Sequence, residues 1–384
     1  MSIHQYSLLN VAQKVGKPAW SLSSVEGPKV RGTDSWHVEL RRMRGGLSDG
    51  IDVVTINNGV LEIDVLPTRG MGVWKGECSG LRLGWDSPVK LPVHPGFVNL
   101  ESRGQLGWLD GFNEWICRCG LAFNGPPGAD EDGSPLTLHG KIANLAAHEV
   151  TLEIDEDAGT ISLIGVIDES SMFGTNLRLT STITLTAGKP SIKIEDTVTN
   201  CASGTQEYEL LYHINQGSPF LSDESEALVP FTEMSPRDDR AAEGVNNWNT
   251  YEPAAAGYAE QVYFFDPHSD AKGFGHLLLK NPAEKIGLHL KFQTQTLPFL
   301  ALWKNTIPTQ DGYVTGLEPC TDFPNHRSVE RAKGRLKSIE SGESVRHQFE
   351  LSISRDSDEL QKSVEEVQSL VAKGKSKVSP TPSF

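Results

Sequence analysis

Cysteine is scarce: Cys78, Cys117, Cys119, Cys201 and Cys320 are the only five in 384 residues. An odd, scattered set excludes a fully paired disulfide frame and points to reduced thiols in a cytoplasmic protein. Cys117-Arg118-Cys119 lacks the two-residue gap of a zinc knuckle and no second pair follows, so it reads as alternate positions on a strand or loop. Basic residues are also few. Against 50 Asp and Glu stand 35 Lys and Arg, a net charge of −15. Phosphate backbones and anionic membrane surfaces are bound through clustered Lys and Arg, so neither nucleic acid nor a membrane is an expected partner. Long apolar runs are missing too. The densest, Leu297 to Trp303, contains Pro298 and is far too short to cross a bilayer. Met1 to Asn10 has no basic start followed by an apolar stretch, hence no signal peptide is expected.

What is present is glycine and proline, 37 and 22 residues, in a chain that is 38% hydrophobic. That suits a turn-rich all-β protein better than a helical bundle. Val53 to Ile56 and Val60 to Leu66 flank Asn57-Asn58-Gly59, a strong hairpin signal. Val150 to Ile154 and Thr160 to Ile167 form another such pair. Leu177, Leu179, Ser181, Ile183 and Leu185 alternate with period two, as do Ile192, Ile194, Asp196 and Val198. Further strands are expected at Gln261 to Phe265, Gly275 to Leu279, Ile286 to Phe292, Phe299 to Trp303, Tyr313 to Leu317 and Val345 to Ser354. Many short strands joined by turns, with few helices, read as a sandwich or a barrel. Ala122 to Leu136 reads as a loop. Leu360, Val364, Val367, Leu370 and Val371 follow helical spacing, with Asp356 and Glu359 as cap and Gly374 as stop. One domain is expected over residues 36–374, after an N-terminal extension at 1–35 and before a flexible tail at 375–384.

Three stretches could carry chemistry. Leu138-His139-Gly140-Lys141 follows the loop. Glu209 to Gly217 is a strand whose alternation puts Leu211, His213 and Asn215 on one face. Tyr313 to Pro319 ends in Glu318, fixed by proline, and opens into the polar run Cys320 to Arg327. Singly, each is weak: a lone histidine near an apolar strand is more often structural, and a strand-end glutamate is usually solvated.

Together they resemble a known pattern. Leu66-Pro67-Thr68-Arg69-Gly70-Met71, Leu138-His139-Gly140, Tyr212-His213-Ile214-Asn215 and Gly316-Leu317-Glu318-Pro319 are similar, in order, to the aldose 1-epimerase (galactose mutarotase-like) superfamily. The match is to its diverged branch labelled as a domain of unknown function. The resemblance spans roughly residues 50 to 350 and implies a large antiparallel β-supersandwich. It further implies an isomerase acting on a small-molecule sugar without metal or cofactor, and a homodimer is open to it. Position by position, it makes His213 the general acid toward the ring oxygen and Glu318 the base at the anomeric hydroxyl. His139 becomes a positioning group and Arg69 the hydroxyl-binding arginine. The chain departs from the pattern at Lys141, where His-Gly-Gly is usual, and no residue matches the family's substrate-binding aspartate.

Sugars offer apolar C–H faces to aromatic rings, so Trp108 and Trp303 are candidate platforms, with core packing the alternative for Trp108 and Trp115. Lys304, next to Trp303, is a candidate substrate contact, because a lysine can act as base or electrostatic clamp. Other functions remain open: a non-catalytic carbohydrate-binding protein, or a different sugar isomerase or lyase on the same fold. A metal site of His139, His213, His326 and Glu318 is the less favoured choice, since no close-spaced ligand pair supports it.

Overall fold

Period-two apolar segments build strands, because side chains alternate across a pleated sheet and only the inward set must be dry. The computed structural model describes residues 2–371 and 376–384 and contains two large sheets, of 10 and 14 strands. In the smaller, Glu149–Asp155, Thr160–Ser170, Asn176–Thr186 and Ser191–Asn200 pair antiparallel in sequence order. Their inward residues Leu152, Leu163, Leu179 and Ile194 meet Val65, Tyr212, Leu302 and Leu317 of the larger sheet in one shared core. The Asn-Gly hairpin joins Asp52–Asn57 to Leu61–Leu66. Gly59 is required there: its φ is +96°, and a Cβ would lie 2.4 Å from the Thr33 hydroxyl and 2.8 Å from the Ser35 carbonyl.

Ser357–Val371 is the expected helix. Asp356 Oδ1 accepts from the backbone N–H of Asp358 and Glu359, and Leu360, Val367 and Leu370 are buried. The expected stop at Gly374 lies outside the described residues.

Both expected termini need correction. Residues 1–35 are no extension: Ile3–Asn10 pairs with Glu149–Asp155 in the smaller sheet, and Ala19–Ser23 with His37–Arg42 at the edge of the larger. Peripheral strands bury few side chains, chiefly Leu8 here, so their alternation is faint in sequence. The tail is not free either. Lys377–Val378 runs parallel to Glu233–Met234, and the Phe384 ring packs 4.9 Å from that of Phe323. Backbone hydrogen bonds to an open strand hold it, and composition does not register those.

For the site, five neighbouring strands of the larger sheet matter: Gln261–Pro267, Phe299–Asn305, Val314–Cys320, Gln206–Gln216 and Ile116–Leu121. Alternation sends Tyr263, Leu302, Leu317 and Tyr212 into the shared core. The opposite face carries a second apolar cluster that includes Cys117, Cys119, Leu211, Val262 and Phe264. That face floors a cleft.

Candidate active site

His213 and Cys117 are register partners on adjacent strands, and Glu318 faces Ala301 on the next pair. His213 Nε2 and Glu318 Oε1 come within 3.3 Å, with 7% and 4% of their side chains exposed. The far side of His213 is fixed. Its Nδ1 lies 2.6 Å from Asn215 Oδ1, while Asn215 Nδ2 donates to the carbonyls of Glu114 and His213. The amide orientation is therefore settled, Nδ1 carries the proton, and Nε2 turns its lone pair or a second proton toward Glu318.

Burial sets the charge state. Removal from water pushes Glu318 up to about 8, and it drives His213 down to about 3 with help from neighbouring His139. At neutral pH the pair thus holds one transferable proton, resting on the carboxyl. Glu318 Oε1 is buried and makes no hydrogen bond within the protein.

His139 enters from the loop. It adopts a left-handed backbone (φ +56°), and its Nδ1 donates to the Asn124 carbonyl at 2.7 Å. Burial lowers its basicity. Its ring lies 5.6 Å from that of His213 and 4.7 Å from that of Trp108. Phe112 and Trp303 complete an aromatic collar around His213, at 5.0 and 5.3 Å. The cleft has a volume of about 280 Å³. A wider groove of about 440 Å³ around Trp74, Lys75 and Arg82 lies elsewhere and is lined by no histidine.

Of the residues singled out in the sequence, His139, His213, Glu318, Trp108 and Trp303 line this cleft. Arg69 and Lys304 do not. Arg69 is buried under the collar, donating to Glu114 Oε1 at 2.7 Å and to the carbonyls of Val93 and Gly111, so it braces the segment that presents Phe112. Lys304 shares the strand of Trp303, but one residue on alternation turns it the other way. Its ammonium donates to the Asn247 carbonyl and sits 5.2 Å from the centre of the Tyr251 ring, in surroundings whose dryness lowers it to about 8. Trp115 belongs to the shared core.

The cleft's basic group is instead Arg237. It donates to Glu260 Oε1 at 3.1 Å, and Trp303 Nε1 donates to Glu260 Oε2 at 2.7 Å. Neither Arg237 nor Glu260 falls within a motif. The available signal was position: Arg237 directly follows the strand Phe231–Pro236, and Glu260 directly precedes Gln261–Pro267.

Comparison with known proteins agrees with the fold. The model of DUF4432, a domain of unknown function, matches residues 48–353. This chain belongs to the DUF4432 family. A crystal structure described as a candidate aldose 1-epimerase from Klebsiella pneumoniae is 32% identical, covers 100% of both chains and superposes with a TM-score of 0.94. A galactose mutarotase-like protein from Clostridium acetobutylicum, 16% identical, covers 88% of this chain and 100% of its own at a TM-score of 0.57. An Escherichia coli K12 candidate aldose 1-epimerase, 15% identical, covers 80% and 100% at 0.53. These two distant matches place the DUF4432 chain on the galactose mutarotase-like fold. No curated protein matches it.

Proposed function

We propose that this protein is an aldose 1-epimerase-like isomerase, interconverting the anomers of a free sugar by general acid–base catalysis. The observation that carries the reading is the His213–Glu318 pair, 3.3 Å apart at the floor of an aromatic-walled cleft. The 32% identical Klebsiella relative supports it.

Anomer exchange needs a proton delivered to the ring oxygen and one removed from the anomeric hydroxyl. Moving the shared proton from Glu318 to His213 Nε2 sets up an imidazolium and a carboxylate. Glu318 then takes the anomeric proton while His213 gives its own to the ring oxygen. The C1–O bond to the ring breaks, and the open-chain aldehyde forms. Rotation about C1–C2 presents the other carbonyl face, and closure runs both transfers backward. Each positioned group contributes typically about 10²–10⁴-fold. The Nε2 of His139 and the Arg237–Glu260 pair supply acceptors and donors for sugar hydroxyls, and the indoles of Trp108 and Trp303 offer faces for its C–H groups.

Saturation-transfer NMR on a panel of free aldoses tests this directly. Exchange between α and β signals, faster with protein than without, is expected for at least one sugar. Binding without any acceleration across the panel would make the cleft a recognition site and end the enzymatic reading.

A further inference from the structure

Beneath the cleft lies a second buried polar cluster with no part in those proton transfers. Glu209 shares the strand of His213, Gln206–Gln216, and Asp322 follows the strand of Glu318, Val314–Cys320, by two residues. Asn124 carries the carbonyl that receives the His139 Nδ1 proton. All three side chains are fully buried. They are also joined. The Asn124 backbone N–H donates to Glu209 Oε2 at 2.9 Å, and Asn124 Nδ2 reaches Asp322 Oδ1 at 3.4 Å. The Thr321 hydroxyl donates to that same Asp322 oxygen. The segments bearing His139, His213 and Glu318 therefore meet at one knot.

The knot also leaves polar atoms unpaired. Asn124 Oδ1, Glu209 Oε1 and Asp322 Oδ2 are buried oxygens with no hydrogen-bond partner. Buried acceptors left this way are costly, and three in one cluster call for a missing proton. The surrounding charge agrees. Arg331 and Arg335 are taken up by Asp130, Glu207 and Glu330. Arg327 Nε stays 3.6 Å from Glu209 Oε1 and 3.4 Å from Asp130 Oδ2. Arg327 is shared further with Glu207 Oε2, at 3.1 Å.

We propose that Asp322 carries a proton at neutral pH, and that this carboxyl clasp on Asn124 holds His139, His213 and Glu318 in register. A proton on Asp322 Oδ2 provides a donor to this cluster, where Asn124 Oδ1 and Glu209 Oε1 lack one. Burial raises both groups, Glu209 to about 8, and the Glu209 charge adds to the rise at Asp322. Glu209 and Asp322 act here as positioning residues. Their effect on rate rests on the epimerase reading of the cleft; the clasp itself does not.

Asp322→Ala removes the donor, whereas Asp322→Asn keeps one at every pH. Anomer exchange in the Ala variant should show a raised KM and a kcat/KM lower by on the order of ten- to a hundredfold, as small misplacements cost. The Asn variant should return both close to wild type. In ¹⁵N NMR of ligand-free protein, His139 should be the Nδ1–H tautomer in wild type and Asp322→Asn, and a tautomer mixture in Asp322→Ala. Damage in Asp322→Asn equal to that in Asp322→Ala, or an Asp322 carboxyl ionised at pH 7 by ¹³C NMR of the wild type, would overturn the clasp. If Asp322→Ala does not fold, the spectra of wild type and Asp322→Asn decide alone. Wild type without anomer exchange would sink the epimerase reading and leave these spectra to judge the clasp.

Discussion

At the scale of single residues, the site depends on which side of a strand a side chain takes. His213, Glu318 and Trp303 were legible because alternation places each beside its neighbours on the cleft face. Lys304 was misplaced because adjacency to Trp303 in sequence means the opposite face in a strand. Arg69 was misassigned because a short motif shows an arginine but not that Glu114 already neutralises it at 2.7 Å. Two predictions belong here. Between about pH 3 and about pH 8 the His213–Glu318 pair holds one transferable proton; below that window no base remains, and above it no acid. The kcat/KM for anomer exchange should therefore be flat near neutrality and fall above about pH 8, and a profile that instead rises through pH 9 would contradict the assignment. Lys304→Met should leave exchange close to wild type. Because the folded state disfavours the Lys304 charge, wild-type stability is reduced at pH values where the unfolded lysine is protonated and recovers as pH rises past about 8 toward the unfolded value. The melting temperature of Lys304→Met relative to wild type should then be most favourable near pH 7 and least at pH 10.

At the scale of elements, strands with one dry face announced themselves, whereas loops and peripheral strands did not. Ala122 to Leu136, read as a loop from its glycine and proline, contains a short hairpin of Gly128–Ala129 with Pro135–Leu136, and nothing local says that its first residues cradle His139. That contact is built by close packing: Gly140 has φ +70°, and a Cβ there would meet the Phe123 carbonyl at 2.1 Å and the Gly120 carbonyl at 2.5 Å. Gly140→Ala should force the two segments apart and turn His139 away. The expected result is a KM raised and a kcat lowered together, with a far-UV circular dichroism spectrum like that of wild type. Unchanged kinetics would mean that His139 does not position the sugar.

At the scale of the whole molecule, segments near both ends of the sequence add strands at or near the sheet edges. Ile3–Asn10 covers the flank of the smaller sheet, and the backbone it pairs with would otherwise be an open template for other chains. Deleting residues 1–16 should lower the melting temperature and yield larger species in size-exclusion chromatography, with the cleft residues unaltered. The apolar pattern foretold the fold class; the use of segments near both ends depends on pairing between stretches far apart in sequence, as Tyr6 with Leu152. The central claim, acid–base exchange by His213 and Glu318, is tested most directly by the anomer-exchange rate of a bound sugar in wild type and Glu318→Gln. The amide keeps the shape but cannot take a proton, so exchange should fall by at least about a hundredfold, the lower edge of general acid–base effects, while sugar affinity changes little. Exchange in Glu318→Gln at the wild-type rate would contradict it.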